Sequence, residues 1–439
     1  VAVGASVVSS VTTGVGGAGD GGAGGTVEVA STTGSGGGLV GPRPLPDAST
    51  DVVLLVDRLP SAMSPAQLAF AASHYAGSRR ITSMTAGALR AYRPEFIVLH
   101  ERVAMWQGGE DLEFVIDGKS WGSDYATVAG YESWFWHLPG GSRVASALDG
   151  KWLMNVGDTD FRAYWAESVS KQATAGDFDG VVASTGSPTA VVVEGLKPSD
   201  PRLAGKGVVT NDLPELGGFS YAERWEEWSK GIGEELEARG LPLFMDVGSL
   251  EFPWDTTDYA GATAGVLVDV SRSATANVAD WLPWMNRLLA VTKDRPTIVK
   301  ARLDSASDRE RRRYYLGIYL LVKGSATYLD VHASNALEWY PEWALKLGAP
   351  LETASSIDQL VSPTGMFRRR FEKGWVYVNP TDGPLPAQFD DVVERVAVVG
   401  GGTVFAAGNE PGAMSFVQTT DFSVGPHTAE VFYLEKPKP

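Results

Sequence analysis

The chain has 439 residues, 44% hydrophobic and 21% charged, and its 37 Lys and Arg stand against 53 Asp and Glu for a formal net charge of -16. Such a length carries a well-buried core and more than one compact unit, while so acidic a surface repels nucleic-acid phosphates and anionic lipid and leaves neutral glycans open as partners. With no cysteine in the chain, disulfides, a thiol nucleophile and cysteine-ligated metals are excluded.

Residues 1–50 are Gly, Ser, Thr, Val and Ala with almost no charge. Such a composition builds no core. It is expected to act as an arm that gains order only by pairing with a sheet edge, here against another subunit. The chain begins at Val1 and shows no basic stretch leading into an apolar one, so an exported protein whose signal has been removed is expected. No apolar run reaches the roughly 18 residues of a membrane span.

After Pro42, Pro44 and Pro46, short apolar runs alternate with longer amphipathic stretches, the pattern of βα units and a parallel sheet. Eight strands are expected: Val52–Val56, Phe96–His100, Trp152–Asn155, Gly180–Ala183, Leu243–Asp246, Gly265–Asp269, Thr297–Ala301 and Ala326–Asp330. Among the helices between them, one starts at Ser64 as N-cap with Pro65 in its first turn, and others stop at Gly240 and Gly324. The Arg309–Arg313 run reads as a solvated or salt-bridged helix face. From about Thr364, short alternating runs with Gly and Pro turns predict an antiparallel β-domain. The fold class is therefore α/β: a (β/α)8 barrel over residues 51–360, a C-terminal β-domain over 361–439 and the arm over 1–50.

Several stretches follow one another in order: TAGALRAYRPEFIVLHERV around Arg90 and Pro94, KWLMNVGDTDFRAYWAESVSKQATAGDFDGVV with its Phe-Asp-Gly strand, LPLFMDVG, AGVLVDVS, RRRYYLGIYLLVKGSATYLDV with EWYPEWALKLGAP, and RRRFEKGWVYVNPTDGP. Together they resemble a glycoside-hydrolase-like TIM-barrel family related to the endo-galactosaminidase-type barrels. The similarity runs from about Asp51 to Leu434 and is carried by order and spacing. It implies acids at the C-terminal ends of the strands. Here the Phe-Asp-Gly strand runs on to Ser184 with no acid, the sixth strand ends in Asp269 where the family has Glu, and the fifth has Asp246 where an Asn is usual.

Glycoside hydrolysis uses two carboxyl groups, one protonated and one ionised, on either side of the scissile bond. Asp269 is the first candidate because the resemblance places an acid there. Asp246 is second, on the neighbouring strand, and Glu194 replaces the missing fourth-strand acid if its loop folds inward. Asp57, Glu101, Asp330 and His332, at or beside strand ends, are candidate substrate-binding groups. Trp106 joins them as a sugar-stacking ring, although core packing accounts for most of the 14 Trp. An acidic, Trp-edged cleft holding Asp246 and Asp269 is expected at the C-terminal strand ends. Asp179 reads as structural. His100 and His332 read as packing or hydrogen-bonding groups, because no metal-ligand spacing accompanies them. No metal or cofactor is expected.

Two functions from different classes fit. One is a structural or surface-assembly protein of a filament or virion, built on a glycosidase-like barrel and joined to copies of itself or to other assembly proteins through the arm. The other is an extracellular glycoside hydrolase cleaving a polysaccharide. The arm and the missing fourth-strand acid favour the first reading, and the clustered strand-end acids and many Trp favour the second. Both place the protein outside the cell, at a cell surface or in a virion, without nucleic acid or a membrane span as partner.

Overall fold

The computed structural model describes residues 42–436, apart from 109–114, 117–118, 121–124, 147–149, 185, 189–212, 214 and 251–256. The expectations for the arm and for Glu194 fall outside the described residues. Eight parallel strands form one sheet: β1 (Leu55–Val56), β2 (Gly77–Arg79), β3 (Ile97–Val103), β4 (Gly180–Ser184), β5 (Leu243–Asp246), β6 (Val266–Asp269), β7 (Thr297–Arg302) and β8 (Thr327–His332). They pair in chain order, and a parallel bridge from Leu54 to Leu329 joins the first strand to the last. The result is the (β/α)8 barrel that the alternating pattern predicts.

One strand differs from the sequence reading. Trp152–Asn155 is not in the barrel; Trp152–Leu153 pairs antiparallel with Trp106–Gln107, in the connection that leaves β3. The second barrel strand is instead Gly77-Ser78-Arg79, parallel to β1 on one side and β3 on the other. It has no β-branched or aromatic residue by which to announce itself. Gly77 is there for close approach: a Cβ at that position would lie 2.7 Å from Leu55 Cδ2.

The helices follow their start signals. In α1 (Pro65–His74) Ser64 and Gln67 form a reciprocal capping box, as Ser220 and Glu223 do in front of α4 (Tyr221–Glu237). Between them come α2 (Ser83–Arg90) and α3 (Thr159–Ala175), capped by Thr82 and Asp158. Asn277 caps α5 (Val278–Asp294) and Asp308 caps α6 (Arg309–Val322). Each removes one of the unpaired N–H groups with which a helix begins.

Residues 42–49 belong to the barrel floor. Leu45 and Ala48 pack on the inward-facing Leu55, Ile97, Leu99, Val182, Phe244, Leu267, Ile298 and Tyr328. Tyr328 donates its hydroxyl to Pro46 O at 3.0 Å, and Lys323 Nζ donates to the carbonyls of Ala48 and Ser49 at 2.5 Å. Burial and the neighbouring Arg369 push the Lys323 ammonium down to about 8. Arg43 reaches Asp179, which is fully buried at the start of β4.

The C-terminal sheet contains β9 (Phe367–Phe371), β10 (Gly374–Asn379), β11 (Leu385–Gly400), β12 (Gly412–Val424) and β13 (Thr428–Tyr433), in the spatial order β9-β10-β13-β11-β12 and antiparallel throughout. It packs on α6, where Gly317 lets the helix approach Ala429 and Val378. Arg369 donates to the carbonyls of Leu320, Leu321 and Lys323, so the sheet supplies the C-terminal cap of α6. The Arg309–Arg313 run serves the same contact. Arg312 is buried against Glu342 at 2.9 Å, Arg313 pairs with Glu430 at 2.8 Å, and Arg309 donates to Val398 O. Of the two readings of the run, solvated or salt-bridged, these ion pairs give the second.

Candidate active site at the barrel mouth

Alternation along each strand decides what lines the barrel. The inward positions of the floor layer are apolar, and two residues further along each strand comes the next inward position. Those positions hold Asp57 just past β1, Arg79 on β2, Glu101 on β3, Ser184 on β4, Asp246 on β5, Asp269 on β6, Lys300 on β7 and Asp330 on β8. Every strand therefore contributes a polar group at the C-terminal end, where the connecting loops converge.

The layer has two unlike halves. On the β8–β4 side, Arg79 is nearly buried and reaches three strands, with Glu101 Oε2 at 2.5 Å, Asp330 Oδ2 at 2.9 Å and Asp57 Oδ1 at 3.3 Å. Arg80 adds a two-pronged contact to Asp57. It does so from a left-handed backbone with φ of 52°, a conformation that costs a non-glycine residue roughly 1 kcal/mol. This turn sends two successive arginines toward one carboxylate, which a regular strand would not do. Asp330 also accepts from Asp57 N at 3.1 Å and lies 3.3 Å from His332 Nδ1. Ser184 donates its hydroxyl to Glu101, so the strand end that lacks an acid is met by the acid of its neighbour.

These contacts set the charges. Burial acts to raise the Asp57 carboxyl, but Arg79 and Arg80 outweigh it and hold it far below the usual carboxylate range. Asp330 is likewise held low, with the His332 hydrogen bond and the Arg79 charge overcoming burial. Burial alone would lower His332, yet Asp330 and Asp57 bring it above its ordinary value. Asp57, Glu101 and Asp330 are thus buried members of an ion-pair network, in which His332 and Arg80 keep partial exposure.

The β5–β7 side is more open. Asp246, Asp269 and Lys300 are each only partly buried. Lys300 Nζ donates to Asp246 Oδ2 at 3.0 Å across the intervening β6, and Asp269 stands directly opposite Lys300 in the β6–β7 register. Burial would lower the Lys300 ammonium, but Asp246 and Asp269 raise it. Asp269 also accepts from Ser271 N at 2.9 Å and Asp246 from Gly248 N at 3.2 Å, which fixes each carboxylate against its own loop. No arginine pairs with either among the described residues.

Trp106 is half-buried in the ribbon that follows β3, and its partner strand carries Trp152, stacked on Tyr125 at 5.7 Å. Nine of the twelve described Trp are buried, so core packing is their main use. Trp121, Trp254 and Glu194 fall outside the described residues. His100 faces away from the barrel axis, bonded to Gln172 at 2.9 Å and stacked on Phe178. Among the described residues no group of His, Asp and Glu is arranged to hold a metal ion. Arg79, Arg80 and Lys300 were not singled out in the sequence; the Arg-Arg doublet ending a Gly-Ser strand and a lysine inside Ile-Val-Lys-Ala are their only signals.

A profile of hypothetical glycosyl hydrolase family 15 matches residues 90–375, well over half of the chain. The chain belongs to that family. The match spans β3 to β8 and β9, and ends two residues into β10. Similar solved structures include an α-amylase of Geobacillus thermoleovorans in complex with acarbose, with 10% identity, a TM-score of 0.42 and coverage of 90% of this chain and 100% of that one. Another is Ega3 of Aspergillus fumigatus in complex with galactosamine, with 11% identity, a TM-score of 0.36 and coverage of 67% and 96%. A third is a pullulanase of Bacillus acidopullulyticus, with 9% identity, a TM-score of 0.43 and coverage of 89% and 62%. No curated protein matches the chain.

Proposed function

We propose that this member of the family is a glycoside hydrolase in which Asp246 and Asp269 form the carboxyl pair. The observation that carries the reading is the asymmetry of the polar layer: the acids on one half are buried against arginines, and the two on β5 and β6 keep partial exposure beside a single lysine. Hydrolysis of a glycosidic bond needs one carboxyl group to give a proton to the leaving oxygen and another to act as base or nucleophile. Family membership supports carbohydrate as the substrate class. A net charge of -16 favours neutral or positively charged glycans over polyanions. Trp106, on the connection leaving the same strand ends, is a stacking surface for a pyranose face.

The test is release of reducing ends from a panel of neutral, cationic and anionic polysaccharides by the wild-type chain, Asp269→Asn and Asp246→Asn. Turnover of a neutral or cationic member that both variants abolish supports the reading. Wild-type turnover that survives both substitutions overturns the carboxyl pair, and no turnover on any member returns the lead to the assembly role.

A further inference from the structure

The C-terminal sheet treats its two edges differently. The β9 edge, Phe-Arg-Arg-Arg-Phe, carries three arginines and is covered by the chain before it, through bridges from Pro350 to Phe371 and Val361 to Phe367 and a hydrogen bond from Leu351 N to Arg370 O. Among the described residues the β12 edge has neither protection. Over 13 residues, Gly-Ala-Met-Ser-Phe-Val-Gln-Thr-Thr-Asp-Phe-Ser-Val, it contains one charged residue, Asp421, and no Lys or Pro. Among the described residues its strand neighbour is β11 alone. One face of this ribbon is exposed and nearly uncharged: Ala413, Ser415 and Val417 lie opposite Val399, Ala397 and Arg395, with Val417 44% and Val399 65% accessible. Folded proteins ordinarily blunt an edge with lysine, proline, a bulge or a covering segment, because its free N–H and C=O groups template pairing with another chain. The β11–β12 ladder shifts register once, between Gln388 and Val393, and the stretch from Gly412 to Thr419 beyond it carries none of these devices among the described residues, which leaves it open to receive a strand.

The chain also contains a segment whose composition suits an added strand. Residues 1–19 carry no charge, and Val1–Thr13 is Val, Ala, Ser and Thr with a single glycine, Gly4. Those are residues suited to a strand that must lie close against another. Two bodies each of net charge -16 repel one another, so a contact between copies is best made where both surfaces are uncharged.

We propose that β12 is a docking edge onto which residues 1–13 of a second copy add as a further strand, linking copies of the chain through strand exchange. This interface is independent of the carboxyl pair and holds whether or not the barrel is catalytic.

The test uses the full chain, with solution mass read by light scattering over a range of concentrations. The wild type is expected to exceed the mass of one chain, increasingly so as concentration rises. Ala413→Lys combined with Ser415→Lys, at exposed positions opposite Val399 and Ala397, is expected to reduce it to one chain with an unchanged unfolding midpoint. Val3→Pro combined with Val8→Pro is expected to do the same from the other side, because proline removes N–H donors from the added strand. A wild type that remains a single chain at every concentration overturns the proposal, as does a lysine variant that assembles normally. If the lysine variant dissociates while the proline variant assembles, β12 is an interface for something other than this segment, and the proposed occupant is wrong.

Discussion

Lys300 Nζ lies 3.0 Å from Asp246 Oδ2, reaching over the strand that carries Asp269. One cation therefore serves two carboxylates of the proposed pair. Lys300→Met is expected to remove the ammonium that pairs with Asp246 and faces Asp269, and to lower kcat by about 10²-fold or more, within the range general acid–base contributions span. Asp269→Asn, which preserves shape and removes the proton chemistry, is expected to lose more. Kinetics on whichever glycan the wild type cleaves decide the matter, and a Lys300→Met variant with wild-type kcat would remove the lysine from the site.

The buried network around Arg79 predicts a stability optimum in pH. Asp57 and Asp330 have folded-state values below their unfolded ones. Their contribution is present above about pH 4, the ordinary Asp range, and is lost as the pH falls toward their lower folded values. His332 is raised in the folded chain. Its contribution is complete below about pH 6.5, the ordinary His value, and is lost as the pH rises through the raised value. Urea midpoints are expected to peak between these limits and to decline on both sides. His332→Gln should flatten the decline on the neutral-to-alkaline side and leave the acid side in place; an unchanged alkaline decline would assign it to other groups.

Asp179 accepts from Arg43 N and Nη1 at 3.0 Å, Arg90 Nη2 at 2.5 Å and Val98 N at 2.7 Å, with no exposed surface of its own. Asp179→Ala leaves two guanidinium groups without this partner at the barrel floor. A loss of about 3–5 kcal/mol is expected, the scale for breaking a buried ion pair from one side, without a selective effect on the carboxyl pair at the other end. Denaturant unfolding measures it, and a loss under about 1 kcal/mol would mean that Asp177 replaces it.

At Gly317 a Cβ would meet Ala429 Cβ at 2.5 Å and Val378 Cγ2 at 2.9 Å. Gly317→Val is expected to force α6 and the C-terminal sheet apart at a cost of about 1–3 kcal/mol or more, as overpacking does. Calorimetry should show a lowered midpoint. A variant as stable as the wild type would mean that the contact is loose.

The sequence by itself determined β3 and the barrel from β4 onward, because long helices with clear caps and most apolar strands of four or more residues state their period locally. It also determined the C-terminal sheet, through the alternation in FRRRFEKGWVYVN and TAEVFYLEK. The strand ends at Asp246, Asp269 and Asp330 were legible for the same reason: an acid closes an apolar run. What only the tertiary structure decided was which of these acids stay partly open. Asp57, Glu101 and Asp330 look like Asp246 and Asp269 in the sequence, yet a three-residue strand without any strand-forming residue delivers Arg79 into their midst. That strand is held by Gly77 fitting between its neighbours, and Arg80 joins it by a backbone turn. Trp152 was misplaced for the converse reason, since its apolar run packs the buried ribbon that leaves β3 instead of the barrel wall. Ion pairing depends on which strands become neighbours around a closed sheet, and pairing between residues 57, 79, 101 and 330 has no signature in local spacing.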